Sequence, residues 1–106
     1  MIKTILTAAA IPFEAARFPD PPKETYAVYF DSVEAEGPDG APSRIFNHSY
    51  TVELYAPTLE AGETAARQLE EELDALGIPY DTQGWYWLNE TRRYQEIYEF
   101  TYIEKI

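Results

Sequence analysis

The chain contains no cysteine, which excludes a disulfide scaffold, a thiolate metal site and a cysteine nucleophile. Glycine is scarce, with five residues in 106, and neither G-x-G-x-x-G nor G-x-x-x-x-G-K, the common phosphate-binding patterns, occurs. No apolar run approaches the roughly 18 residues needed to cross a bilayer. We therefore expect neither a membrane partner nor a nucleotide-binding loop of these types.

Basic residues are also few. Eight lysines and arginines face nineteen acidic residues, so the formal net charge is −11, beyond the magnitude of about 2–8 that is usual for a small domain. Such a surface repels phosphate, which disfavours binding of nucleic acid through a basic patch. The aromatic content of 15% is too high for a disordered chain. The length fits a single domain over residues 1–106, with a radius of gyration of about 13 Å.

Two helices are predicted from apolar residues at helical spacing. Near the start, the longest apolar run is too short for a secretory signal and contains Pro12, so we expect this segment to belong to the fold. There, a helix is indicated by Ile2, Ile5, Leu6 and Ala9. The main helix is expected to begin after Thr58 as N-cap and to stop at Gly77. Its predicted buried stripe comprises Ala61, Ala65, Leu69, Leu73 and Leu76.

Four segments have the two-residue period of strands. They are residues 24–32, with Tyr26, Val28 and Phe30 on one face; 45–55, with Phe46, His48, Tyr50, Val52 and Leu54 on one face; 79–88, bulged at Gly84; and 93–103, with Tyr94, Tyr98, Phe100 and Tyr102 on one face. The α-β-β-α-β-β order predicts an α+β fold, a mostly antiparallel four-stranded sheet with the main helix packed on one face.

The connections between these elements differ in character. Residues 18–23 contain three prolines and predict a stiff extended connector. Residues 33–44 are rich in acid, glycine and proline, and loops of this length are often functional or mobile. Residues 89–92 are predicted to form the turn between the last two strands.

No set of residues predicts an enzyme. His48, the only histidine, alternates with apolar neighbours, which favours a hydrogen-bonded structural role over that of a catalytic base. The carboxylate pairs Glu34/Glu36 and Glu96/Glu99 could support acid–base chemistry, but close pairs are expected by chance when nineteen acids occur in 106 residues. No calcium-loop pattern occurs. We therefore expect no catalytic residue, metal or cofactor.

The two tryptophans leave three alternatives open. Trp85 and Trp87 could pack in the core, lie in a subunit interface, or stack on a ligand. Stacking on nucleic acid bases is disfavoured because a cationic groove is missing from the sequence. The chain has more aromatic surface than one small core requires, and such surface is most often an interface.

Several segments follow one another in a particular order: Ile11–Phe13, Phe18–Pro22 leading into Tyr26–Tyr29, Tyr50–Ala56, an acidic helix ending at Ala75–Ile78, and Tyr94–Phe100. This order, over nearly the whole chain, resembles that of the tail-completion, or tail-terminator, proteins of long-tailed bacteriophages and prophages. The segments are strand and turn patterns, so the resemblance implies a structural role and supplies no catalytic residues.

The resemblance implies a ring, usually of six copies, in the virion at the head–tail junction, made in the cytoplasm of the host bacterium. The ring ends polymerisation of the tail tube protein and offers a docking surface for the head connector or stopper protein. DNA enters only as passing cargo, and acidic walls would keep it from adhering. As candidate assembly residues we take Glu34, Glu36, Asp39, Arg44, Trp85, Trp87, Arg92 and Arg93.

Three other functions stay open. The chain could be a different subunit of the same junction, a stopper or head-completion protein. It could be a small ligand-binding or adaptor domain of a bacterial cell. An enzyme is disfavoured because no nucleophile–base set is visible in the sequence.

Overall fold

The computed structural model of the protein describes residues 1–36 and 45–105. In chain order the elements of this part are α1 (Ile2–Ala8), β1 (Phe13–Ala15), β2 (Tyr26–Glu36), β3 (Ile45–Ala56), α2 (Leu59–Ala75), β4 (Tyr80–Thr82), β5 (Tyr86–Leu88) and β6 (Arg93–Lys105). The fold is α+β, as predicted. Within the described residues it comprises two helices and one six-stranded mixed sheet.

The sheet has the strand order β1-β2-β3-β6-β4, and β5 also pairs with β6. The predicted sheet, four-stranded and mostly antiparallel, had too few strands, and the difference arises in two places. A three-residue strand follows Pro12 and pairs in parallel with β2, and three residues are too few to show a period in the sequence. The segment predicted as one bulged strand over residues 79–88 is divided into β4 and β5, both antiparallel to β6.

Both helices contribute to a core on one face of the sheet. Ala27 and Tyr29 of β2 face this core with Val52 and Leu54 of β3 and Tyr98 of β6. Tyr26, Val28 and Phe30 do share a face, as their alternation predicted, but it is the face opposite the core. Tyr26 is buried there because Phe18 of the connector packs edge-on against its ring.

The ends of α2 match the predicted signals. The Thr58 side chain accepts a hydrogen bond from the Ala61 N–H at 3.1 Å. At the other end Gly77 has φ +68°, and Ile78 N–H donates to the Leu73 carbonyl at 2.9 Å. Together with the Gly77 N–H bond to Asp74, this is a Schellman motif, which requires the left-handed conformation that glycine adopts without strain.

The buried stripe of α2 differs from the predicted one. It consists of Gly62, Ala65, Ala66, Leu69 and Leu73. Ala61 is only half-buried, and the predicted core residue Leu76 is 50% exposed. Leu76 is the C-cap residue, beyond the last helical turn, so the helical spacing no longer directs its side chain to the core.

Three strands continue well beyond the core. The outermost residues of these strands that belong to the buried core are Tyr29 of β2, Tyr50 of β3 and Phe100 of β6. Beyond them the sheet consists only of residues 30–36, 45–49 and 101–105. We call this part of the sheet the arm. Strand β2 therefore runs four residues past the predicted end at Ser32, and the rest of the predicted loop lies outside the described residues. The molecule measures 49 × 28 × 22 Å, and its radius of gyration of 15.2 Å exceeds the expected value because of this elongation.

Candidate assembly surfaces

Those candidate assembly residues that the structure describes fall into two groups, one on the arm and one toward the opposite end of the sheet. Glu34 lies on the arm, in a row with Asn47 of β3 and Ile103 of β6. Arg93 lies at the far end of β6, ten residues of extended strand from Ile103, or about 33 Å. Glu36 is the last residue of β2. Asp39 and Arg44 lie outside the described residues.

Arg93 is a residue of the fold rather than an exposed contact residue. Its guanidinium donates to the carbonyls of Pro22, at 2.8 Å, and Glu24, at 3.2 Å, and lies 5.1 Å from the centre of the Tyr26 ring. It therefore fastens the proline-rich connector to the sheet. The sequence could not show this, because the hydrogen-bond partners are about seventy positions away along the chain.

Arg92 is available for contact with another molecule. It ends the turn over residues 89–92, which forms as predicted, and it is exposed. Its φ of +54° places a non-glycine residue in the left-handed region, which directs the chain from the turn into β6.

The tryptophans have different environments. Trp85 lies between β4 and β5, half-buried against the core, with its indole against Gly62 of α2. Of the three alternatives, core packing therefore describes Trp85. Trp87 is 45% exposed, packs edge-on against Tyr94 at 5.0 Å, and donates from Nε1 to Asn89 at 2.9 Å. Trp87 retains the exposed apolar surface that an interface uses.

Glu96 and Glu99 do not form a carboxylate pair, because they point to opposite faces of β6. Glu96 is only 5% exposed, and its Oε1 accepts hydrogen bonds from the N–H groups of Gln83 (3.1 Å), Gly84 (3.0 Å) and Ile97 (2.9 Å). It holds the segment between β4 and β5, and thereby places Trp85. No sequence pattern indicates this role, because one structural carboxylate cannot be distinguished among nineteen acidic residues.

His48 links the three strands of the arm. Its Nδ1 lies 3.0 Å from a carboxylate oxygen of Asp31 on β2, and its Nε2 lies 3.6 Å from a carboxylate oxygen of Glu104 on β6. The ring stacks on Tyr50 with a centroid distance of 5.4 Å. The predicted hydrogen-bonded structural role matches these contacts.

Two tyrosine hydroxyls of the sheet donate hydrogen bonds to neighbouring carboxylates. Tyr98 donates to Glu70 of α2, and Tyr55 donates to Glu53 at 2.8 Å. Burial, reinforced by these carboxylates, raises the pKa of both hydroxyls well above 10. Burial likewise raises the pKa of Tyr50 to about 12. These hydroxyls therefore stay protonated at neutral pH and act as hydrogen-bond donors.

Exposed apolar side chains lie at both ends of the molecule. Phe30, Val33 and Ile103 lie on the arm, and Ile103 is 57% exposed. Tyr86 and Trp87 lie at the opposite end, next to the exposed Arg92. Each end thus offers apolar surface close to charged residues, the composition of many protein interfaces.

One cleft among the described residues has a volume of about 470 Å³. It lies where β4 begins and is bordered by Tyr80, Asp81, Glu99, Phe100 and Thr101. Over residues 1–36 and 45–105, no group of three or more His, Asp or Glu side chains is arranged to hold a metal ion. Neither helix of this part has the length and apolar character required to span a bilayer.

No family model and no curated protein sequence matches this chain.

Proposed function

We propose that the protein is a structural subunit of a phage or prophage virion, which forms a ring of about six copies on the head-proximal end of the tail tube. In this role it ends polymerisation of the tail tube protein and offers the docking surface for the head connector or stopper protein. The order of the sequence segments is one basis for the proposal. The other is the distribution of exposed residues over the fold.

The observation that carries the proposal is the presence of two different exposed surfaces about 33 Å apart on one elongated chain. Copies in a ring meet head to tail, so each copy must present one surface to the preceding copy and a different one to the next. The arm, with Phe30 and Ile103, supplies one surface. The other contains Trp87 and Arg92.

The net charge of −11 per chain gives a ring of about six copies a strongly negative field. DNA that passes through such a ring finds little to adhere to, because binding requires neutralisation of its phosphates by basic groups. DNA is therefore cargo in this proposal and not a bound partner.

The direct experiment adds the purified chain to polymerising tail tube protein and measures tube lengths by electron microscopy. We expect shorter tubes as the ratio of chain to tube protein rises, with extra density at one end. In particles that lack the chain, we expect abnormally long tubes without heads. Unchanged tube lengths combined with binding to the head connector would instead identify a stopper or head-completion subunit.

Surface variants make this experiment specific. Trp87→Ser should reduce capping of tubes, because it removes an exposed apolar side chain from one proposed surface. Leu76→Ser is the matched control, since Leu76 is as exposed but lies at the C-terminus of α2, outside both surfaces. Equal loss of capping in both variants would contradict the assignment of this surface.

A further inference from the structure

The outer edge of β5 is free among the described residues. Strand β5 pairs with β6 along one side, and no described strand lies along its other side. Two exposed aromatic side chains, Tyr86 and Trp87, lie on this strand, and the exposed Arg92 follows in the turn to β6. Because an uncovered edge presents unpaired backbone groups and pairs readily with another strand, this end of the molecule can accept one.

The arm carries a second free edge, on β2. Strand β1 covers the outer edge of β2 only as far as Tyr29, so residues 30–36 have no strand beside them on that side within the described part of the chain. The three strands of the arm end in one row, at Glu36, Ile45 and Lys105. The narrow arm can therefore lie beside β5 of another copy while the two cores stay apart.

The two edges are compatible in direction. Strand β5 runs antiparallel to β6, whereas β2 runs parallel to β6, because both β2 and β6 are antiparallel to β3. A sheet that continues from β5 of one copy into β2 of the next, with the same face outward, is therefore antiparallel at the junction. Antiparallel pairs are slightly more stable per residue than parallel ones.

Side-chain orientation restricts the register to two positions. Trp87 is on the helix side of the sheet, because its partner on β6 lies in the row of the buried Ala56. On β2 this side carries Val33 and Ala35, since residues an even number of positions from the core residue Tyr29 share its face. Paired residues also share a face, so Trp87 lies beside one of these two residues.

Space for the turn that follows β5 selects Ala35. In either register, β1 of the incoming copy lies in line with β5 of the receiving copy, beyond this turn. When Trp87 lies beside Ala35, five residues of β2, about 17 Å, separate the end of β5 from Tyr29, the last residue that β1 covers. The four-residue turn fits within this distance. When Trp87 lies beside Val33, three residues, about 10 Å, remain, and the turn meets the residues that follow β1.

Strand β4 of the receiving copy does not obstruct this register. The tip of β2 stops beside Tyr86, which pairs with Gln95 of β6. Strand β4 begins to pair with β6 only at Tyr98, three residues further along β6. The described residues of the arm therefore reach β5 and end before β4.

Charge complementarity favours the β2 edge as the partner of β5. Residues 30–36 contain three acids and no base. Of these acids, Asp31 is engaged with the histidine of the arm, whereas Glu34 has no ion-pair partner within residues 1–36 and 45–105. The exposed Arg92 likewise has no carboxylate partner in these ranges. Each of these two residues thus offers the charge that the other lacks.

We propose that the outer edge of β5 in one copy pairs antiparallel with the tip of β2 in the next, with Trp87 beside Ala35 and Arg92 opposing Glu34. In this register two strand spacings, about 10 Å, separate the backbone of Glu34 from that of Arg93, the neighbour of Arg92. The long side chains of Arg92 and Glu34 together span this distance. The contact joins the arm of one copy to the Trp87 surface of the next, which is the head-to-tail relation of a ring. The inference rests on the proposed ring and specifies its interface.

Charge exchange tests the contact, because a head-to-tail interface allows two defective variants to complement each other. Arg92→Glu alone opposes two carboxylates, and Glu34→Arg alone opposes two cations. We expect each variant to associate at least about tenfold more weakly than the wild type, since like charges at an interface are costly. An equimolar mixture should restore association, because each variant presents the opposite charge to the other and six copies can alternate around a ring.

Association is measured by sedimentation of the purified chain at high concentration and by the number of copies at the ends of tail tubes. Glu34 and Arg92 are exposed, and urea unfolding checks that both variants retain the stability of the wild type. Glu71→Arg is the matched control, because it makes the same change of charge at an exposed position of α2, outside both surfaces. It should associate like the wild type and should not complement Arg92→Glu.

Several results would overturn the inference. They are absence of wild-type association in both preparations, association that neither charge variant weakens, a mixture that associates no better than its components, and equal complementation by Glu71→Arg.

The outcome is separable from that for the proposed function. Tubes that the wild type and both charge variants shorten equally refute the contact and retain the terminator. Association that the mixture restores, without an effect of any of these chains on tube length, supports the contact and refutes the terminator.

Discussion

The indole of Trp85 occupies the space that a side chain at Gly62 would need. A Cβ at position 62 would lie 2.6 Å from Cη2 of Trp85 and 2.9 Å from its Cζ3. The absence of a side chain at Gly62 thus allows α2 to pack closely against the segment that joins β4 to β5. This pair connects the main helix to the end of the sheet that bears Trp87.

The effect of a substitution at Gly62 on the stability of the protein is expected to depend on Trp85. Gly62→Ala should destabilise the protein by about 1 kcal/mol, because displacement of the indole costs more than the roughly 1 kcal/mol that alanine gains in a helix. In a Trp85→Ala background the same change should stabilise by about 1 kcal/mol, since only helix propensity remains. Urea unfolding of the wild type, the two single variants and the double variant measures both effects. Additive changes in the free energy of unfolding would contradict the contact between Gly62 and Trp85.

Removal of the Glu96 carboxylate should loosen the segment that contains Trp85. Glu96→Ala leaves the N–H groups of Gln83 and Gly84 without their acceptor, and we expect a loss of about 2–3 kcal/mol in the free energy of unfolding. Tryptophan fluorescence should shift to the red. Glu99→Ala, an exposed carboxylate on the same strand, is the control and should change stability by less than about 0.5 kcal/mol.

Arg93→Ala should release the proline-rich connector. The substitution removes two hydrogen bonds to carbonyl oxygens and the contact with the Tyr26 ring, for an expected loss of about 1–3 kcal/mol. Proteolysis and hydrogen exchange should increase over residues 16–25. The neighbouring Arg92→Ala variant should leave both measurements unchanged, and comparable effects in the two variants would argue against the assigned role.

His48→Ala should affect the arm and spare the core. The imidazole hydrogen-bonds Asp31 and stacks on Tyr50, so its loss should speed hydrogen exchange over residues 30–35, 45–49 and 101–104. Exchange in α2 should stay unchanged. Ser49→Ala, an exposed neighbour, provides the baseline, and uniform acceleration across the molecule would show that His48 supports the whole fold.

Stability should fall in strong alkali. The pKa values of Tyr55 and Tyr98 are raised in the folded state, first by burial and then by Glu53 and Glu70, respectively. Above about pH 10 the unfolded chain loses protons that the folded chain retains, so this stabilisation is complete below pH 10 and declines as the pH rises. Urea unfolding from about pH 8 to about pH 11 measures the decline.

Tyr98→Phe separates this effect from general alkaline denaturation. Because the variant has one tyrosine fewer to titrate, the decline should be shallower, by at most about 1.4 kcal/mol per pH unit. An identical slope in the two proteins would show that Tyr98 does not contribute.

Local signals explain why much of the fold was predictable. The Thr58 cap and the Gly77 stop act within a few residues, and the alternation of Tyr50, Val52 and Leu54 persists over a long strand. The predicted turn at residues 89–92 is local in the same way. Such features depend on neighbours in the sequence, so the sequence suffices to identify them.

The candidate assembly residues show that exposure of a side chain does not follow from local sequence patterns. Trp87 and Arg92 are exposed as expected, whereas Trp85 and Arg93 are engaged within the fold. Exposure depends on which distant segment covers a side chain, and neither the connector at Arg93 nor α2 at Trp85 is adjacent in sequence. The three-residue strand β1 was missed because its pairing with β2, not its own composition, makes it a strand.

The sequence alone determined the acidic character of the protein, the positions of both helices, the main strands and the α+β class, because periodicity and capping are properties of short segments. Only the tertiary structure decided which face of β2 meets the helices, how far the arm extends beyond the core, and which tryptophan and arginine remain exposed. These features arise from contacts between segments far apart in the chain, whose geometry no local pattern encodes.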